Sequence, residues 1–198
     1  MISNLFFQGP VRSGKSSALR RELLPYLAEL GGFVVQRLLD DGGSPVAYRM
    51  VSLDQIRQMG EAGGALFLEV DAPYSAVVRD GKSGIFLFTS PREVRKEVFE
   101  TAGVRCLQAA QGSKLVLLDE IGGVDLLCPL FRQALVALIR RNVPCIGVIK
   151  EIEKARDARF YNQELRASLN IRTLSSDGFV DPSDLSCQIK SFLSQLAL

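Results

Sequence analysis

The hydrophobic pattern of the chain predicts strands that are buried on both faces, with helices between them. Residues 5–7 form a short apolar run near the N-terminus, and residues 115–118 and 144–149 form two more. A continuous apolar run is typical of a strand in a parallel sheet that is covered on both sides. A shorter strand is predicted at residues 171–174. We therefore expect an α/β fold with a mainly parallel central sheet.

Helices are predicted where apolar residues recur at intervals of three and four. The first is expected over residues 15–29, where Gly31 and Gly32 supply the stop, and another over residues 128–141. The last helix is expected to begin near Asp181, because Asp-Pro is a typical helix start. In the helix over 128–141 the residues expected to face the core are Phe131, Leu135, Leu138 and Ile139.

A further helix is predicted from Ser90. The segment Ser90-Pro91-Arg92-Glu93 has the sequence of a capping box with proline at the first helical position. The helix is expected to end near Ala102 or, past Gly103, to continue to Ala110.

Residues 33–89 are predicted to be mostly β and mostly antiparallel. Residues 33–39 and 46–51 flank a glycine-rich turn, which is a hairpin signal. A second pair of strands is predicted at residues 65–70 and 85–89, closed by a turn at 80–84.

Two stretches within this region have weaker signals. Residues 75–78 are expected to continue the strand at 65–70. Residues 53–64 are polar and carry glycine, and there we expect a loop or a short helical turn.

The length and charge of the chain limit its class. Its 198 residues, 47% of them hydrophobic, suffice to bury a substantial core, and no linker or repeat divides them. A single domain over residues 1–198 is predicted, with residues 33–89 as a hairpin-rich excursion. The chain has 24 basic and 22 acidic residues. Its net charge of +2 is too small to indicate a nucleic-acid-binding protein. Without a membrane-length apolar run or a signal peptide, a cytoplasmic protein is expected.

The residue types present also limit the chemistry. The chain has no histidine, which excludes Ser-His and Cys-His nucleophilic schemes. Its 4 cysteines are far apart and form no C-x-x-C pair, so buried free thiols are expected rather than a zinc site or disulfides. Catalysis would therefore use carboxylates, lysine, arginine and a metal ion.

A phosphate-binding loop is predicted directly after the first apolar run. Residues 9–16 match the Walker A pattern G-x-x-x-x-G-K-[ST], in which backbone N–H groups surround a phosphate at a helix N-terminus. Lys15 is expected to reach the β- and γ-phosphates, and the Ser16 hydroxyl to coordinate Mg²⁺. The predicted nucleotide-binding residues are Gly9, Pro10, Val11, Arg12, Ser13, Gly14, Lys15, Ser16 and Ser17.

A second motif closes the buried strand at 115–118. Its last residues lie at the sheet edge where open α/β folds bind ligands. There Asp119 is expected to hold Mg²⁺ through a water, opposite Ser16, and Glu120 to orient or deprotonate an attacking water. This predicted Walker B segment consists of Leu115, Val116, Leu117, Leu118, Asp119, Glu120, Ile121 and Gly122.

With both motifs in place, the chain resembles the THEP-type family of small P-loop nucleoside triphosphatases over nearly its whole length. The resemblance rests on the phosphate loop, on residues 32–37, on the double hairpin region, on Asp119-Glu120-Ile121-Gly122 and on residues 131–135. It implies an ASCE-type, RecA-like three-layer fold with antiparallel hairpins added to the sheet. It also implies Mg²⁺-dependent hydrolysis of nucleoside triphosphates with relaxed base preference.

Two segments depart from the pattern of this family. Residues 89–93 replace a Gly-x-Tyr-Gly-Val-Asp-like segment, and Lys150 stands where the family often has histidine. That position is expected to sense the γ-phosphate, so Lys150 is a possible sensor.

Two other functions stay open beside hydrolysis. One is a small-molecule or nucleoside kinase with the charged run 150–159 as a lid, and the other is a nucleotide-gated binding module with slow hydrolysis. Residues 175–177 are weak candidates for base contacts. Four arginines are candidates for transition-state stabilisation, although a solvated surface position is the favoured interpretation of each: Arg12, Arg37, Arg92 and Arg95.

Overall fold

The central feature of the fold is one mixed sheet. The structure is a computed structural model, described here over residues 4–79, 84–151, 169–174 and 182–198. Within these residues the sheet has nine strands. They are β1 (Asn4–Gln8), β2 (Leu30–Leu39), β3 (Pro45–Ser52), β4 (Asp71–Pro73), β5 (Ile85–Thr89), β6 (Arg92–Val94), β7 (Leu115–Ile121), β8 (Cys145–Ile149) and β9 (Ile171–Thr173).

The order of the strands separates a parallel part from an antiparallel part. The order is β6-β5-β3-β2-β7-β8-β1-β9, with β4 paired to β2 outside this path. All neighbours from β2 to β9 are parallel, as is β4 on β2, whereas β3, β5 and β6 are joined by antiparallel pairs. The predicted mainly parallel sheet with antiparallel additions is therefore confirmed.

Helices cover the two faces of the sheet. They are α1 (Lys15–Leu23), α2 (Leu53–Gln58), α3 (Glu61–Leu68), α4 (Tyr74–Arg79), α5 (Val104–Ala109), α6 (Pro129–Arg140) and α7 (Pro182–Gln195). Short 3-10 helices occupy Leu24–Glu29, Ala110–Gly112 and Val124–Leu127, and a π-helical turn occupies Phe99–Gly103.

Successive residues of the buried strands serve opposite cores. Phe7 and Leu117 pack in one apolar cluster with residues of α1, α3 and α7. Phe6 and Leu118 pack in a second cluster with residues of α5 and α6. Because neighbouring side chains of a strand point to opposite faces, a strand between two helical layers must be apolar at every position. This is the physical cause of the continuous apolar runs in the sequence.

The predicted strand at residues 65–70 is wrong. Most of this stretch lies in α3, and residues 75–78 lie in α4 rather than in a strand. Phe67 is buried in the cluster that contains residues of α1, whereas Leu68 is exposed. The apolar stretch is therefore part of a short helix that buries only one face. A short apolar run does not distinguish a strand from a buried helix, and packing decides between them. Residues 53–64 form α2 and the start of α3.

The predicted helix start at Ser90 is also wrong. Residues 90 and 91 form the turn of a hairpin in which Thr89 pairs with Arg92 and Leu87 pairs with Val94. The Arg95 guanidinium then lies over the Phe88 ring, 4.7 Å from its centroid. Strand pairing thus outweighs the local capping signal. The helical run that follows includes the π turn at 99–103, α5 and a 3-10 turn from Ala110. Of the two predicted ends, it agrees with the one near Ala110 and not with the one near Ala102.

Several predictions fall on residues that the structure does not describe. These are the turn at 80–83, the charged run after Glu151, the segment 175–177 and the start of the last helix at Asp181. In the described part of the chain, every helix is too short or too polar to cross a membrane.

Candidate nucleotide site

The phosphate loop connects β1 to α1 at the carboxyl-terminal edge of the parallel strands. Two of its glycines adopt positive φ angles, +148° at Gly9 and +82° at Gly14, and Arg12 adopts +66°. A Cβ on Gly9 would lie 3.0 Å from Cβ of Leu174, just after β9. The loop therefore turns tightly against the neighbouring strand, which is where glycine is required.

The Lys15 side chain lies inside this loop. Its Nζ donates hydrogen bonds to the carbonyl oxygens of Gly9 at 3.0 Å and Pro10 at 2.5 Å, and to Ser13 Oγ at 2.8 Å. Lys15 is only 8% exposed. The loop thus holds a buried ammonium group at its centre, bonded to three oxygen atoms of the loop itself.

Ser16 and Asp119 meet although they belong to different elements. The Ser16 hydroxyl, in the first turn of α1, donates a hydrogen bond of 2.6 Å to Asp119 Oδ1 near the end of β7. Asp119 is almost completely buried. Two hard oxygen atoms of the kind that Mg²⁺ prefers therefore lie side by side next to the phosphate loop.

Arg20 is part of this site and was not predicted from the sequence. Its guanidinium is fully buried and donates from Nη2 at 2.8 Å and from Nε at 3.0 Å to Asp119 Oδ2. The two oxygens of the Asp119 carboxylate thus have different partners, Ser16 on one side and Arg20 on the other. Arg20 lies four residues, or one helical turn, after Ser16. Its partner Asp119 is 99 positions away, so no local sequence pattern indicates that the two side chains pair.

Glu120 faces Lys150 at the end of the next strand. The Lys150 ammonium lies 3.8 Å from Glu120 Oε1, and both side chains are partly exposed. Burial raises the pKa of Glu120 above its ordinary value, Lys150 opposes this shift, and the neighbouring charges of Asp119 and Asp125 add to it. A carboxylate with a raised pKa suits a general base better than an ordinary surface glutamate does.

A second buried carboxylate, Asp125, orders the turn after β7. Its oxygens accept hydrogen bonds from the backbone N–H of Gly122 at 3.0 Å and of Gly123 at 2.6 Å. Burial raises the pKa of Asp125, and these two hydrogen bonds oppose the shift. A Cβ on Gly123 would lie 3.0 Å from the Lys150 ammonium, so this turn also fixes the space around Lys150. Asp125 was not predicted from the sequence.

Two of the candidate arginines have carboxylate partners outside this site. Arg37 forms a two-pronged ion pair with Asp71, at 2.6 and 2.9 Å. Arg95 pairs with Glu93 at 2.6 Å. Arg92 is exposed in β6, and Arg12 is exposed within the phosphate loop itself.

Two solved structures share the fold of this chain at 16% sequence identity. A crystal structure of THEP1 from the hyperthermophile Aquifex aeolicus superposes with a TM-score of 0.60 and covers 99% of each chain. The solution structure of a human cancer-related nucleoside triphosphatase has a TM-score of 0.61 and covers 98% of this chain and 96% of that one. The fold is therefore that of a P-loop nucleoside triphosphatase.

Sequence comparisons give the family. A family model described as NTPase matches residues 4–176. A nucleoside-triphosphatase THEP1 of Thermotoga sp. (strain RQ2) is 27% identical over 139 residues, which is 70% of this chain and 68% of that protein. The chain belongs to this NTPase family, and the THEP-type resemblance inferred from its motifs is confirmed. It is accordingly a nucleotide-binding hydrolase of the nucleoside triphosphatase class.

Proposed function

We propose that this protein hydrolyses ATP, GTP and other nucleoside triphosphates to the diphosphate and phosphate in the presence of Mg²⁺. The observation that carries the proposal is the contact between the Ser16 hydroxyl and Asp119, at 2.6 Å, beside the loop that holds Lys15. This contact joins a predicted phosphate site to a carboxylate at one point of the sheet edge. Neither motif alone supports more than phosphate binding.

The proposed roles follow from the position of each group. Residues 9–17 surround the phosphates, and the Lys15 ammonium contacts the β- and γ-phosphates. Ser16 and Asp119 would hold Mg²⁺, since a hydroxyl and a carboxylate oxygen at hydrogen-bond distance fit its preference for hard oxygen ligands. When bound, Mg²⁺ neutralises charge that develops on the phosphate oxygens. The Walker A and Walker B assignments of the two segments form part of this proposal.

Glu120 is proposed as the general base. Its raised pKa favours uptake of a proton from water, and its position next to Asp119 places it beside the phosphate site. Lys150, whose ammonium lies 3.8 Å from this carboxylate, is the proposed γ-phosphate sensor in place of histidine. Glu120 would then orient the attacking water and accept its proton as the terminal phosphate departs.

We also propose that residues 1–198 form one P-loop domain. The excursion at 33–89 supports this, because β2, β3 and β5 continue the same sheet as β7 rather than forming a separate one. A cytoplasmic location stays a prediction from the sequence.

A phosphate-release assay with ATP, GTP, CTP and UTP tests the proposal. Glu120→Gln should lower kcat by a factor of about 10² to 10⁴ while nucleotide affinity is kept, because the substitution removes the proposed base and keeps the size of the side chain. Lys15→Ala should lose nucleotide affinity. Lys114→Ala is the matched control, because its ammonium lies on the surface and pairs with Glu29.

Three results would argue against nucleoside triphosphate hydrolysis as the function. Release by wild-type protein no greater than by Glu120→Gln would contradict hydrolysis at this site. A metabolite that raises turnover as a phosphate acceptor would instead favour the kinase. Slow turnover combined with a partner that is bound only in the nucleotide-loaded state would favour the binding module.

A further inference from the structure

Arg20 is a fully buried arginine with every side of its guanidinium engaged. Besides the two bonds to Asp119 Oδ2, its Nη2 donates to the Val35 carbonyl at 2.6 Å and its Nη1 to the Glu69 carbonyl at 2.7 Å. Arg20 therefore joins α1 to β2 and to the residue that follows α3. A planar guanidinium fixed on three sides has a single orientation, and its Nε and Nη2 together hold Asp119 Oδ2 in one place.

The two carboxylate oxygens of Asp119 therefore have different hydrogen-bond partners. Oδ2 is taken up by Arg20, whereas Oδ1 lies 2.6 Å from the Ser16 hydroxyl and faces the phosphate loop. A buried carboxylate without the arginine could rotate about its last bond, and neither oxygen would then be held beside Ser16. The pairing removes that freedom.

We propose that Arg20 is a positioning residue for the metal-binding carboxylate of this enzyme. It acts through Asp119 by holding Oδ2, so that Oδ1 and the Ser16 hydroxyl present one fixed pair of oxygens to Mg²⁺. The inference rests on the proposed function, because it takes Ser16 and Asp119 as the metal ligands.

Arg20 could affect Mg²⁺ binding by orienting Asp119 or by its positive charge, and the two effects change Mg²⁺ affinity in opposite directions when Arg20 is replaced. A positive charge beside Asp119 weakens the attraction of this carboxylate for a cation, so loss of that charge alone would tighten Mg²⁺ binding. Arg20→Lys keeps the charge and loses the two-pronged fork. This substitution therefore isolates orientation, and it also leaves Asp119 with a cationic partner in the core.

Gln36 offers a matched control for structural damage. It is fully buried, and its Nε2 donates to the Glu69 carbonyl at 2.7 Å, the same oxygen that accepts from Arg20. Its Oε1 accepts from Arg49 Nε at 2.7 Å. Gln36→Leu breaks the same polar network one residue further from Asp119.

The test measures nucleotide binding, with and without metal, by equilibrium titration of a fluorescent ATP analogue. In EDTA, Arg20→Lys should bind the analogue within about twofold of wild type, because the loop and Lys15 are intact. The Mg²⁺ concentration that gives half of the metal-dependent gain in affinity should rise about 10- to 100-fold. Gln36→Leu should lower Tm and keep the wild-type Mg²⁺ midpoint.

A double variant checks that Arg20 acts through Asp119. If it does, Arg20→Lys should shift the Mg²⁺ midpoint no further in an Asp119→Asn background, because coupled residues are not additive. An unchanged or lower midpoint in Arg20→Lys, or an equal rise in Gln36→Leu, would overturn the positioning role. If the nucleotide affinity of wild-type protein were the same with and without Mg²⁺, the proposed metal site itself would be overturned.

Discussion

The Ser16 hydroxyl donates a hydrogen bond of 2.6 Å to Asp119 Oδ1 across 103 positions of sequence. The contact lies between the first turn of α1 and the end of β7, two elements that are not neighbours in the chain. It brings the phosphate loop and the acidic segment into one site. A metal ion held there would contact both motifs at once.

Ser16→Ala should therefore raise the Mg²⁺ concentration that hydrolysis requires, without unfolding the protein. The substitution removes one of the two proposed oxygen ligands and leaves Asp119 paired with Arg20. We expect the Mg²⁺ midpoint of phosphate release to rise about tenfold or more, with affinity for metal-free nucleotide retained. Ser191→Ala, on the exposed face of α7, is the control and should match wild type. Equal midpoints in wild type and Ser16→Ala would contradict the assigned ligand.

Gly32→Ala should destabilise the fold far more than Gly43→Ala. Both glycines have positive φ angles, +99° and +79°. A Cβ on Gly32 would lie 2.0 Å from the Leu117 carbonyl oxygen in β7, whereas a Cβ on Gly43 meets nothing within 4 Å. Gly43→Ala should cost about 1–2 kcal/mol for the left-handed conformation alone. Gly32→Ala should cost about 3 kcal/mol or more, since steric overlap adds to this.

Urea unfolding of the two variants measures this difference. Similar free energies of unfolding for Gly32→Ala and Gly43→Ala would show that β2 and β7 approach less closely at this point than described.

Asp125 should make stability depend on pH. Burial raises its pKa in the folded state, so between the ordinary pKa of 3.8 and the raised one the folded protein holds a proton that the unfolded chain has released. Its contribution to stability therefore falls as pH rises through this window, by at most about 1.4 kcal/mol per pH unit. Asp125→Asn removes the titrating group and keeps an oxygen acceptor for the turn.

The measurement is urea unfolding of wild type and Asp125→Asn from pH 4 to pH 8. The difference in unfolding free energy between the two should shift in favour of the variant as pH rises. A difference that is constant over this range would mean that the pKa of Asp125 is not raised in the folded protein.

The cysteines should differ sharply in reactivity. Burial raises the pKa of Cys106 and Cys145 to about 12 and that of Cys128 to about 11, whereas Cys187 is exposed on α7. Since the thiolate is the reactive form, a chromogenic disulfide reagent should label one thiol quickly in native protein. All 4 should react in urea. Cys187→Ser should remove the fast phase, and a fast phase that persists would contradict this assignment.

The parts of the site that the sequence predicted depend on local patterns. The phosphate loop is a fixed spacing of glycine, lysine and serine, and Asp119-Glu120 follows a strand whose double burial leaves a continuous apolar run. The helix start at Ser52 could also have been found. Ser52 and Gln55 form a capping box, with the Ser52 hydroxyl accepting from the Gln55 N–H at 3.2 Å.

The two wrong elements share one cause. Phe67 lies in a helix because it packs beside α1, and Ser90 lies in a turn because β5 and β6 pair. In both places the local preference is weak and partners distant in sequence decide the outcome. Such partners have no signature at fixed spacing.

The sheet class, the phosphate loop and the acidic strand end can be predicted from the amino-acid sequence, because each is specified by residues that are near one another in the chain. Three contacts are visible only in the folded protein: Ser16 with Asp119, Arg20 with the other oxygen of that carboxylate, and Glu120 with Lys150. The reason is geometric. The order β2-β7-β8-β1 brings strand ends from distant parts of the chain to one edge, and spacing along the sequence does not encode that order.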